Sequence, residues 1–180
     1  MQPVTRFAPS PTGRLHLGHI YSALKAHDFA RTRDGAFLLR IEDIDRGRVR
    51  TEFVDDIIAD LLWLDLEWDG EMIYQSERLP LYAEVLERLK AEGLLYPCFC
   101  TRAEIAAEIA ASASAPHEGP DGPVYPGICR ALAAPDLARP HAWRLDVARA
   151  AARAGPLTWR EGEAEVAARP EVYGDVGLAR

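Results

Sequence analysis

The chain has 180 residues, of which 48% are hydrophobic and 27% charged. That balance excludes a disordered or fibrous chain and leaves room for one domain or one and a half. A net charge of −7 argues against a general nucleic-acid coat, and three cysteines, an odd count, argue against a disulfide framework.

No run is apolar and long enough to span a membrane, and the N-terminus does not read as a signal peptide. The expectation is a cytoplasmic protein with no membrane attachment, most simply a monomer. The charge is uneven. Residues 1–50 carry nine Lys/Arg against five Asp/Glu, whereas residues 51–120 carry four against fifteen. Phosphates are welcome at the basic start, and the acidic middle reads as a solvated helical surface.

Val4 to Ala8 reads as a short buried strand. Pro9, Pro11 and Gly13 then break regular structure and force a turn. From Leu17 to Arg33 the spacing predicts a helix, closed by Asp34-Gly35. His16 and His19 lie one turn apart at its start. The first N–H groups of a helix are unsatisfied and its dipole is positive there, so anions dock. Gly18 lacks a Cβ and lets a ligand lie flat. The two histidines can donate to phosphate oxygens as charge builds up. Alone, such a pair reads as solvent-facing; the turn Ala8-Pro9-Ser10-Pro11-Thr12-Gly13 ahead of it favours a nucleoside triphosphate.

Ala36 to Ile41 reads as a buried parallel strand, which completes a βαβ unit. Ligands of such sheets sit at the carboxyl ends of the strands. The loops after Ala8 and Ile41 should therefore face one site. The second loop, Arg40-Ile41-Glu42-Asp43-Ile44-Asp45-Arg46, fits a magnesium site, a substrate-amine site or a solvated salt-bridge cluster.

Thr51 to Leu64 is predicted as an amphipathic helix capped by Thr51, with Phe53, Ile57, Leu61 and Leu64 inward. Residues 65–74 read as an acidic loop in which Trp68, like Trp63 before it, is a packing residue. Gln75-Ser76 precedes a helix running to about Glu92, ended by Gly93, with Leu81, Val85, Leu86 and Leu89 as its buried stripe. Leu94 to Phe99 is expected to be a strand. Thr101-Arg102-Ala103-Glu104 is a capping box that opens a helix to about Ala113. Residues 112–123 read as a loop. Further strands are expected at 142–147, 157–160 and 172–178. Cys98-x-Cys100, a spacer and Tyr125-x-x-x-Cys129 fit either buried thiols or a tetrahedral S₃O metal site, because zinc prefers thiolates and accepts an occasional oxygen. No internal repeat is visible.

Several of these motifs together resemble a known family. His16-Leu17-Gly18-His19 resembles the His-x-Gly-His signature of class I aminoacyl-tRNA synthetases. Arg6-Phe7-Ala8-Pro9-Ser10-Pro11-Thr12-Gly13 and Arg40-Ile41-Glu42-Asp43 resemble its glutamate- and glutamine-specific branch. The resemblance implies that Arg6 and Ser10, with Phe7, Ala8 and Pro9, hold glutamate, and that Glu42 meets the substrate ammonium. It also implies that Pro11, Thr12, Gly13, His16, Gly18 and His19 face ATP and its Mg²⁺. The charge logic agrees, since a guanidinium forks onto a carboxylate and an ammonium needs an anionic acceptor.

Ile44, where the branch carries Thr, and the Tyr125-x-x-x-Cys129 spacing are closer to the shorter glutamyl-Q tRNA(Asp) synthetase group. That group implies structural zinc on Cys98, Cys100, Tyr125 and Cys129, with His117 as a competing fourth ligand. It implies transfer of glutamate to the queuosine base of tRNA(Asp).

The expected fold is α/β. Residues 1–95 would form the first half of a Rossmann-like parallel sheet, which binds nucleotide and glutamate. Residues 96–180 would form a small zinc-bearing α+β insertion. The family's Lys-Met-Ser-Lys-Ser type loop is not in this sequence, whose only lysines are Lys25 and Lys90. The chain therefore reads as an N-terminal portion. The readings that compete are a portion of an ordinary glutamyl-tRNA synthetase, a nucleotidylyltransferase, and a non-catalytic zinc and RNA-binding piece.

Overall fold

Strand and helix alternate at the start of the chain. β1 (Val4–Phe7) leads through a loop to α1 (Leu17–Arg31), which returns the chain to β2 (Ala36–Ile41). β1 and β2 pair in parallel, with Arg6 opposite Leu38 and Phe7 opposite Leu39. The βαβ unit is therefore present. The computed structural model describes residues 2–111 and 118–179. Within these the chain forms two compact units, 1–84 and 85–180.

In the first unit, α2 (Thr51–Trp63) follows β2, and β3 (Ile73–Tyr74) pairs in parallel with the end of β2. The sheet order is β1-β2-β3. Phe7, Phe37, Leu39 and Ile41 from the strands pack with Ala23 and Ala30 of α1 and Val54, Ile57 and Leu61 of α2. β2 alternates between buried and half-buried positions, so one of its faces carries most of the core. The two-residue β3 lies inside the stretch read as loop, too short to show a period.

Other details differ from expectation. Thr51 is the first helical residue of α2 and caps nothing; the cap position is Arg50, which makes no side-chain cap bond. Val54 takes the inward place expected of Phe53. Trp63 is exposed, whereas Trp68 does pack against the core. Asp56 stays partly exposed, as the acidic middle implies, and pairs at the surface with Arg14 at 3.0 Å.

Gly35 closes the turn between α1 and β2. A Cβ added there would lie 2.2 Å from the carbonyl oxygen of Pro3, which accepts a hydrogen bond from Ala36 N at 2.9 Å. Gly35→Ala is expected to destabilise the first unit by about 1–3 kcal/mol, because backbone rather than a flexible side chain must move. Urea unfolding measures this; an unchanged midpoint would contradict it.

α3 (Leu79–Ala91) follows a short 3-10 turn at Gln75–Arg78. It buries no residue, and Leu79, Leu81, Tyr82 and Val85 are exposed. Of the stripe expected to be buried, Leu81 and Val85 are exposed, and Leu86 and Leu89 are half-buried.

The second unit is built on β4 (Leu95–Cys98). The Thr101–Glu104 capping box forms as expected: Glu104 N donates to Thr101 Oγ1, and Thr101 N donates to Glu104 Oε2. It opens α4 (Arg102–Ala111). β5 (Glu118–Gly119) and β6 (Gly122–Pro123) form a small hairpin within the segment read as loop. β7 (Ala142–Leu145) leads to α5 (Val147–Ala154), a helix the strand reading of 142–147 missed. Asp146 caps it by accepting from Arg149 N at 3.0 Å. β8 (Thr158–Glu161) and β9 (Ala164–Ala167) pair as a hairpin. The stretch read as a strand at 172–178 is a 3-10 turn at Pro170–Tyr173 followed by β10 (Gly177–Ala179). β10, β7 and β4 form one antiparallel sheet in that order.

Asp175 ties this unit together. Its Oδ2 accepts from Tyr96 Oη at 2.6 Å and from Arg130 Nε and Nη2 at 2.8 and 2.6 Å; its Oδ1 accepts from Val147 N at 3.0 Å. Burial first, then the bond to this carboxylate, pushes the Tyr96 phenol well above its usual value. Among the described residues no helix is long and apolar enough to cross a membrane.

Candidate active site and metal centre

The loops after β1 and β2 meet through their backbones. Glu42 N donates to Pro9 O at 2.9 Å, and Arg50 N donates to Pro11 O at 3.1 Å. Pro9 and Pro11 are buried, so the turn between them is anchored at both ends while Ser10 and Thr12 stay exposed. Two cavities adjoin at those exposed residues. One, of about 410 Å³, is lined by Arg6, Ser10, Gly13, Arg14 and His19 among others. The other, of about 460 Å³, is lined by Ser10, Thr12, Glu42, Asp45, Arg48 and Gln75. Phe7 borders the first cavity, but its side chain is in the core.

Glu42 pairs with Arg40, whose Nη2 donates to Glu42 Oε1. Asp43 accepts from both Ser76 N and Ser76 Oγ, at 2.8 and 2.5 Å, so it holds the turn after β3. Asp45 accepts from Arg48 Nε at 2.7 Å. That bond, against the opposing effect of burial, holds its carboxyl below the usual range.

The two histidines form a reciprocal cap. His16 is the N-cap of α1, and its Nδ1 accepts from Gly18 N at 3.1 Å. His19 Nδ1 accepts from His16 N at 3.2 Å. The rings stack with centroids 3.8 Å apart. Both Nδ1 atoms are thus acceptors, so in each neutral ring the proton sits on Nε2. Each ring therefore keeps an Nε2–H beside the start of α1 that has no partner among the described residues.

Burial, and then the neighbouring His16, lowers the pKa of His19 from 6.5. Above pH 6.5 His19 is neutral whether folded or unfolded, and contributes nothing to pH dependence. As pH falls below 6.5 the unfolded chain takes the proton first, so the folded state loses stability down to the folded pKa. The His19 ring is expected to titrate below 6.5 in a proton NMR titration; a midpoint at or above that value would contradict the capped geometry.

The second unit gathers a separate cluster. The sulfurs of Cys98, Cys100 and Cys129 lie within 4.8 Å of one another, and Cys100 and Cys129 are 3.4 Å apart. Tyr125 Oη accepts from Cys98 Sγ at 3.3 Å and from Cys129 N at 3.0 Å, and lies 3.7 Å from Cys100 Sγ. The motifs read as Cys-x-Cys and Tyr-x-x-x-Cys are therefore brought together. His117, the competing ligand, lies outside the described residues. A tetrahedral ion about 2.3 Å from each sulfur would hold them about 3.8 Å apart, so the cluster fits such an ion with small adjustments.

Burial first, then a bond with Cys129, pushes the Cys100 thiol up to about 12. Burial likewise raises the Tyr125 phenol well above its usual value. For Cys98 burial acts upward too, but the neighbouring Tyr125 hydroxyl and the Arg144 guanidinium outweigh it and hold the thiol below its usual value. Sequence reasoning missed Arg144 and Asp175, because only the β4–β7 register brings 144 beside 96–98.

A family model of the class I tRNA synthetases (E and Q), catalytic domain, matches residues 2–134. A glutamyl-Q tRNA(Asp) synthetase of Rhodobacter capsulatus is 55% identical over 131 residues, covering 71% of this chain and 46% of that protein. A glutamate–tRNA ligase of Geobacter sulfurreducens is 48% identical over 140 residues, covering 78% of this chain and 29% of that one. The crystal structure of a glutamate tRNA ligase from Elizabethkingia meningosepticum, in complex with its amino acid, superposes with a TM-score of 0.72 at 25% identity. That match covers 99% of this chain and 38% of the other. The chain thus spans less than half the length of each of these relatives. With its parallel β1-β2-β3 sheet and the match over residues 2–134, the chain belongs to the class I tRNA synthetase family of glutamate and glutamine type, within its catalytic domain.

Proposed function

We propose that this chain carries the glutamate- and ATP-binding half of an enzyme that activates glutamate and transfers it to the queuosine base of tRNA(Asp). The observation that carries the reading is the Glu42 N–H bond to Pro9 O, which joins the two loops so that Arg6, Ser10 and Glu42 surround adjoining cavities. Arg6 forks onto a carboxylate of glutamate, and Ser10 adds a hydroxyl. Glu42, already paired with Arg40, accepts from the substrate ammonium. A ligand with carboxylate and ammonium ends is thereby held at both.

The His16 and His19 Nε2–H groups donate to the phosphates of ATP, with Gly18 and the turn Pro11-Thr12-Gly13 shaping the wall. The α-carboxylate of glutamate attacks the α-phosphorus in line, the bond to the β-phosphate oxygen breaks, and pyrophosphate leaves. Catalysis is positioning and charge stabilisation. Mg²⁺ bound with ATP neutralises phosphate charge. Cys98, Cys100, Tyr125 and Cys129 hold a structural zinc, which reinforces a unit whose local core is small. The protein works as a cytoplasmic monomer.

The preference for tRNA(Asp) is supported by the Tyr125-x-x-x-Cys129 spacing, Ile44 and the glutamyl-Q relatives. Glutamate-dependent exchange of pyrophosphate into ATP tests the reading. It is run on the chain alone and on the chain joined to the second half of a glutamyl-Q relative, with and without tRNA. Exchange by the joined protein without tRNA is the expected result. Exchange that requires tRNA would favour an ordinary glutamyl-tRNA synthetase, and exchange with no amino-acid dependence would contradict the proposal.

A further inference from the structure

Arg144 is half-buried on β7, directly opposite Tyr96 and diagonal to Cys98, which is paired with Ala142. The three side chains therefore share one face of the sheet. The guanidinium carbon of Arg144 stacks 3.9 Å from the centre of the Tyr125 ring. Its Nη1 donates to the backbone oxygen of Asp175 at 2.9 Å. Its Nε is buried and donates to nothing among the described residues. A buried N–H without an acceptor is costly and calls for an explanation.

The charge of the neighbouring cluster supplies one. Three thiolates around a divalent ion leave one net negative charge, and an ionised phenol would leave two. An anion in a half-buried site is stabilised by a cation held against it. Arg130 is next to Cys129 in sequence, but its Nε and Nη2 are committed to Asp175 Oδ2. Arg144 instead lies against the ring of Tyr125 and on the sheet face of Cys98, one diagonal position away, with a donor to spare among the described residues.

We propose that Arg144 is a positioning residue of the metal centre, which balances the charge of the thiolate set and donates its Nε–H to a sulfur or to the phenol oxygen when the ion is bound. This rests on the reading that Cys98, Cys100, Tyr125 and Cys129 hold a metal. Partners of this kind around metal ligands change affinity by about 10- to 100-fold.

The test measures Zn²⁺ affinity of the full chain by competition with a chromophoric chelator. Arg144→Met is expected to bind zinc at least tenfold more weakly, Arg144→Lys to recover part of the loss, and Arg130→Met to lose less than Arg144→Met. A second readout separates positioning from stability. At saturating Co²⁺, the thiolate-to-cobalt charge-transfer band of Arg144→Met should move to longer wavelength, because its sulfurs lose a donor and become richer in electron density. A role confined to stability would leave that band in place. Unchanged affinity with an unchanged band would overturn the proposal, as would an equal affinity loss in Arg130→Met with no band shift. If the unsubstituted chain binds neither ion, the metal reading itself fails, and this inference with it.

Discussion

Cys98→Ala is expected to weaken zinc binding more than about 100-fold and to loosen the second unit while sparing the first. Outer partners alone are worth about 10- to 100-fold, and a ligand is worth more. Cys98 is 3% exposed, and among the described residues its local core is small: Tyr96, Tyr125 and Cys129 are buried with it, and Phe99, Cys100 and Ile105 pack against them. The sheet β10-β7-β4 rests on that small core and on Asp175. An ion joining β4 to the turn at Cys129, as proposed, would supply folding free energy beyond what this small core buries. Hydrogen exchange locates the effect. Amides of β4 and β7 should exchange faster in Cys98→Ala, and in the unsubstituted chain treated with a chelator, while those of β1 and β2 keep their protection. Equal loosening of both units, or no loss of zinc, would contradict the assignment.

The second large effect is at the strand ends. Glu42→Gln is expected to lower the affinity for L-glutamate by about 100-fold, measured by titration calorimetry. Gln keeps the size of the side chain and leaves the Glu42 N–H bond to Pro9 O in place, so the two loops stay joined. It removes the negative acceptor that an ammonium requires. Removing one partner of a close charge pair costs about 2–5 kcal/mol in binding, which brackets the expected 100-fold. Thermal stability should change less than affinity, because Gln keeps a side-chain oxygen that can accept from Arg40 Nη2. Unchanged glutamate affinity would remove Glu42 from the site. A large loss of stability would assign it a structural role instead.

Much of this architecture is legible in the residues. Prolines and glycines mark where β1 ends, and the period of Ile57 and Leu61 marks α2. The pairing of the two strand-end loops follows from the βαβ order alone, and the backbone bonds from Glu42 to Pro9 and from Arg50 to Pro11 supply its detail. The cysteine spacing brings four ligand-type side chains together, in an arrangement compatible with a metal ion and equally with buried thiols hydrogen-bonded to a phenol.

What escaped is what depends on long-range register or on very short elements. β3 has two residues and α5 eight, and the helical spacing of Arg149 and Arg153 in α5 extends over barely two turns. Asp175 looks like any surface acid in the sequence; its burial comes from meeting Tyr96 and Arg130, 79 and 45 positions away. The spacing of α3 predicts a buried stripe, yet the helix buries no residue fully and exposes Leu81 and Val85: periodicity says only that a face could be buried, not what covers it. His16 was placed at the helix start, yet the reciprocal cap with His19, which fixes both tautomers, appears only in the geometry.

The central claim is that the loops after β1 and β2 form one pocket for glutamate and ATP. The most direct measurement is an NMR titration of the ¹⁵N-labelled chain with a non-hydrolysable glutamyl-adenylate analogue. The account predicts shifts at Arg6, Ser10, Gly13, Gly18, His19 and Glu42, with residues 85–180 unmoved. Shifts confined to other residues, or none at millimolar analogue, would contradict it.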